Sequence, residues 1–191
     1  MMKRIIAFLL VSAVFALASA QADSPKELPQ DKKEIDQDRA DLKQSRDCLQ
    51  KLRRLTGKWH EANLVGDSKK AHQYEQTIVN LLVKDVNLAA WSVWAAENEV
   101  VRSEAEPQHS HQMTIPRYDE AADHRDDKAD CVRARRLLEA KEHLLSRLKA
   151  SGSFSYKYRL LADYQYLLEG ELGVVRAELE EDVRELKEDK R

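Results

Sequence analysis

Two short constellations in this 191-residue sequence carry side chains that could do chemistry. The first is His109-Ser110-His111-Gln112-Met113, lying between Pro107 and Pro116. Two imidazoles and a thioether on one polar connection are the donors that copper, or less selectively zinc, accepts. His124, Asp126 and Asp127 follow closely enough to supplement them. The second is the pair of cysteines, Cys48 and Cys131, the only two in the chain. Their surroundings match: sliding the sequence by 83 positions lays Asp47-Cys48 on Asp130-Cys131, and Arg53, Leu55, Lys58 and His60 on Arg136, Leu138, Lys141 and His143. An offset of 86 pairs Leu81-Leu82 with Leu167-Leu168 and Asp85 with Glu171. Repetition on this scale points to two related halves.

Other arrangements stop short of a reaction. His60-Glu61 opens like a zinc-protease helix, but Leu64 stands where the second histidine is required. Glu120 and Glu139 each precede a histidine by four residues, whereas the di-iron sites of helical bundles use a spacing of three. His143 lies opposite the stripe of Leu137, Leu138, Leu144 and Leu145, so it is expected to face water, which argues against a shared site with His60. Asp85 and its counterpart Glu171 are read as the solvated edge of their helices. With no nucleophile elbow and no glycine-rich phosphate loop, no catalytic residue is assigned and the protein is expected not to be an enzyme. Trp91 and Trp94, three residues apart, either pack in a core, the commoner use of aromatics at helical spacing, or edge a groove that receives a partner. In the second use they are the partner-binding residues.

The elements that would position these residues are helices. Ile35, Leu42, Leu49, Leu52, Leu55, Trp59 and Ala62 recur at helical spacing, after an Asp31/Glu34 N-terminal box and before Gly66. A second helix carries a broad apolar face from Ile78 to Val101, wide enough to touch more than one neighbour. After the connection at 107–116 a third helix runs to about Ala150. Ser151-Gly152-Ser153 breaks the chain, and a fourth repeats Phe154, Tyr158, Leu161, Gln165, Leu168, Leu172 and Val175. No β alternation competes. The expected fold is all-α: two duplicated long helical hairpins, 31–106 and 117–191, packed as a four-helix bundle.

The first 20 residues read differently. Lys3 and Arg4 precede an apolar run from Ile5 that ends at Ala18-Ser19-Ala20, the pattern of a cleaved export signal. The run is short of the roughly 20 apolar residues of a membrane span, so no span is expected once it is removed. Residues 21–30, with Pro25 and Pro29, are expected to form a disordered leader. Loss of Lys3 and Arg4 would take the formal charge from −2 to −4. Such a mildly acidic, mixed surface lacks the basic face that nucleic acid leaves in a sequence.

Periplasmic or secreted location follows as the expectation, and with it one disulfide between Cys48 and Cys131. A bond there would require the first and third helices to be neighbours, or the bundle to be pinched at that level, since diagonal helices hold their Cα atoms too far apart. The function expected is that of an exported interaction or scaffold protein binding a protein or peptide partner without a cofactor. Metal binding through His109, His111 and Met113, with copper or zinc, is the alternative.

Overall fold

The computed structural model describes residues 27–105 and 117–188. They form four helices: α1 (Glu27–Leu64), α2 (Ser68–Ala105), α3 (Arg117–Ala150) and α4 (Phe154–Glu188). α1 begins ahead of the expected Asp31 and takes in residues 27–30, the end of the expected leader. The signal segment, the rest of the leader and the 107–116 connection lie outside the described residues.

The α1–α2 turn shows why the chain reverses where it does. Gly66 takes φ 72°, the left-handed conformation that closes a helix. The Asp67 amide then reaches the Ala62 carbonyl at 2.9 Å and the Gly66 amide the Asn63 carbonyl at 3.2 Å, two orphan carbonyls satisfied in one step. Asp67 next caps α2, its carboxylate accepting the Lys70 amide at 3.0 Å. Ser153 caps α4 in the same way, through the Tyr156 amide. Gly66→Ala is expected to cost about 1 kcal/mol, because a Cβ at positive φ meets the following carbonyl, and Gly66→Asn less. Urea denaturation of the two variants checks the ranking.

Consecutive helices pack side by side, and α4 returns to α1, so the seams are α1–α2, α2–α3, α3–α4 and α4–α1. Both hairpin turns lie at one end. There a continuous cluster of Leu52, Leu55, Trp59, Ile78, Leu82, Leu145, Leu148, Leu161 and Leu168 fills the bundle. Trp59 lies against Phe154, ring centroids 4.8 Å apart. Long side chains tie the helices across their seams, Arg53 to Glu169 and Arg135 to Glu97.

This order corrects the expected topology. α1 and α3 are diagonal, with no pair of Cα atoms within 8 Å of each other. Cys48 and Cys131 are free thiols, and at that separation a disulfide cannot close without backbone movement. Nor are the two at the same level. The turn positions show that 86 is the structural offset, since α1 ends at Leu64 and α3 at Ala150. The cysteines, 83 apart, are therefore three residues out of register, about 4.5 Å along the axis. Asp85 and Glu171 do correspond: each stands 17 residues beyond the first residue of its helix.

Candidate functional site

Beyond the apolar cluster, away from the turns, the four helices enclose a cleft of about 740 Å³. That volume suits a small molecule. Leu81, Leu88, Ala89, Leu137, Leu167 and Val175 supply much of the wall, while Gly170 on α4 leaves open space where a side chain would stand. Where cleft and apolar cluster meet, the floor is polar, and Lys141 is its centre. Only 1% of Lys141 is exposed. Its ammonium lies 3.0 Å from Asp85 Oδ2 on α2 and 2.8 Å from Glu171 Oε2 on α4. The buried Tyr164 hydroxyl donates to the same Asp85 oxygen at 2.7 Å, crossing the α2–α4 diagonal. Cys48 borders the cleft from α1.

Helix direction brings these groups together. Cα–Cβ bonds tilt toward a helix N-terminus. On α3, which runs toward the turns, Lys141 leans away from them; on α2 and α4, which run the other way, Asp85 and Glu171 lean back. Lys141 is nine residues short of the end of α3, whereas the two acids lie 17 beyond the starts of theirs. The gap of roughly 10 Å along the axis is covered by three long or inclined side chains meeting head to head.

The electrostatics follow from burial. Burial raises the Glu171 carboxyl above the usual carboxylate range; Lys141 opposes that shift without cancelling it. Burial, then the neighbouring Asp85 carboxylate, pushes the Cys48 thiol up to about 12. The same two causes, in the same order, raise the Tyr164 phenol. Both hydroxyl and thiol are held protonated near neutral pH. What the arrangement offers a guest is apolar wall, fixed charge and hydrogen-bonding oxygen.

The residues singled out in the sequence are only partly brought together here. Asp85 and Glu171, expected at the solvated edge, instead turn inward, because the Lys141 ammonium compensates them there. Cys48 borders the cleft, and Cys131 is buried. Trp91 and Trp94 lie away from it, each 57% exposed, with rings edge to face at 5.6 Å; packing in the core is excluded for both. His60 stacks between Phe154 and Tyr158, with centroids at 5.7 and 4.9 Å, while His143 is exposed. His109, His111 and Met113 lie outside the described residues, among which no group of three or more His, Cys, Asp or Glu side chains is placed to share a metal ion.

Lys141 and Tyr164 were not among the sequence candidates. A signal for Lys141 was present: it falls midway between Leu137-Leu138 and Leu144-Leu145, where the helical repeat demands an inward residue. Comparison with protein-family models, curated proteins and solved structures gives no match for the chain.

Proposed function

We propose that this is an exported, non-enzymatic helical binding protein that receives a small amphipathic ligand in the cleft between its four helices. The observation that carries the reading is the cleft itself, apolar along its walls and charged at its floor. Such a combination is how small-molecule sites obtain affinity from one part of a ligand and orientation from another. The protonation state of Cys48 favours binding over catalysis, since a thiol raised to about 12 is a poor nucleophile. Export rests on the basic, apolar and small-residue pattern of residues 1–20.

A second reading is favoured by Trp91 and Trp94, which with Val101 expose apolar surface on α2. Large exposed aromatics are common anchors for protein partners. Under that reading the partner sits outside the bundle and leaves the cleft free.

One experiment separates the two. The fluorescent probe N-phenyl-1-naphthylamine, neutral and apolar, is titrated into the protein. Saturable uptake at one site is expected, weakened at least tenfold in Gly170→Trp, whose new side chain projects from a position with open space around it. Trp91→Ala/Trp94→Ala should leave uptake intact. Absence of saturable uptake, or equal uptake by Gly170→Trp, would overturn the cleft reading.

A further inference from the structure

We propose that the cleft selects an organic ammonium ion with an apolar body, its nitrogen set against the carboxylates of Asp85 and Glu171 and its hydrocarbon lying along Leu88, Leu137 and Val175. This deepens the reading of the cleft as a ligand site and rests on it.

The charge balance supplies the first argument. At the mouth, Asp41, Asp47 and Asp130 are offset by Lys51, Lys84 and Arg133, three against three. At the floor, Asp85 and Glu171 face Lys141 alone, with only the uncharged Tyr164 and Cys48 beside them. The floor thus carries one negative charge more than it balances when all three are ionised. A cationic guest supplies the missing charge.

Hydrogen bonding supplies the second. Lys141 and Tyr164 engage Asp85 through Oδ2, and Lys141 engages Glu171 through Oε2. Cys48 also hydrogen-bonds Asp85, whereas no side chain among the described residues engages Glu171 Oε1; since no side-chain oxygen there is buried without a partner, Glu171 Oε1 keeps access to solvent at the cleft. It is an acceptor open to a donor from outside. Burial raises the Glu171 carboxyl, and a cation set beside it favours its ionised form.

Other guests use the floor less well. An anion would need the Lys141 ammonium, which is 1% exposed and already bonded to two carboxylates, and would face the excess negative charge. A bare metal ion would sit beside that same ammonium with too few convergent oxygens to replace its water. A neutral alcohol would gain the walls but not the charge-assisted bond, which is about twice as strong as a neutral one.

Three probes of one chain length test the inference: octylamine, protonated at pH 7, octanol and octanoate, each displacing N-phenyl-1-naphthylamine from the protein. Octylamine is expected to displace at a concentration at least tenfold below octanoate, with octanol between them. Asp85→Asn and Glu171→Gln should each remove most of the octylamine advantage and leave octanol unchanged, which also shows that the variant cleft is folded. If octanoate equals or surpasses octylamine, or both variants keep the preference, the ammonium assignment is wrong although the cleft binds. If neither the dye nor any of the three probes binds, the cleft reading falls, and this inference with it.

Discussion

Lys141→Met is expected to destabilise the folded protein by about 3 to 5 kcal/mol, because it leaves two inward carboxylates without their shared counter-charge. Methionine fits the space of the lysine stem, so the loss reports charge and not volume. For a domain of this size a kilocalorie corresponds to roughly 2 to 4 °C in Tm, and the midpoint should fall on the order of 10 °C. Adding Asp85→Asn and Glu171→Gln to the same chain should recover more than half of the loss, since the whole ionised cluster is then replaced together.

The pH dependence has a definite sign. Burial places the folded-state value of the Glu171 carboxyl above that of the unfolded chain. Its contribution is therefore present in full below the ordinary glutamate range and is lost as pH rises through the folded value. Asp85, Lys141, Tyr164 and Cys48 are the groups that face it. Removing Lys141 takes away the group that opposes the rise of the Glu171 carboxyl, so the deficit of Lys141→Met should shrink as pH falls toward 4. Urea unfolding followed by circular dichroism at several pH values is the measurement; a deficit under 1 kcal/mol at pH 7 would contradict the account.

Trp59→Ala is expected to cost about 3 to 5 kcal/mol, the range for truncating a fully buried aromatic. Trp59 lies at the turn end, where it touches Phe154 at the start of α4 and sits within the same cluster as Leu55, Leu145 and Leu148. Nothing small can refill that space without moving two helix ends. Trp59→Phe should lose less, since an aromatic pair with Phe154 survives. The three tryptophans also give a spectroscopic check: Trp59 is 2% exposed while the other two are mostly in water. Trp59→Ala should remove the blue-shifted part of the emission and keep the rest. A loss smaller than about 1.5 kcal/mol would mean that the cluster collapses around the gap, at odds with the packing described.

The helices were legible because apolar residues at three- and four-residue spacing have no other efficient use, and Gly66 and Ser151-Gly152-Ser153 mark the turns by their own conformational chemistry. Helix order around the bundle was not. The spacing of Ile35 to Ala62 shows that α1 has an inward face; which neighbour covers each flank depends on all four faces at once. The repeat register failed for a related reason. Offsets of 83 and 86 differ by three residues, which is most of one turn, so both place similar residue types on the inner side. Only the turn positions distinguish them. Asp85 and Glu171 were legible as a pair but not as inward, since the compensating group comes from a third helix. Tyr164, one position off the Leu161–Leu168 stripe, is drawn in by the same cluster.

Both hairpin turns and the large side chains lie at one end, and the hollow lies toward the other, which gives the molecule the mechanics of tweezers. From the turns to the level of Asp85 and Glu171 each arm is about 25 Å long. A relative rotation of about 5° would part the arms by about 2 Å at that level, which is enough to break the Lys141 ion pairs and the Tyr164–Asp85 bond, so this buried cluster acts as the catch that holds the jaws together.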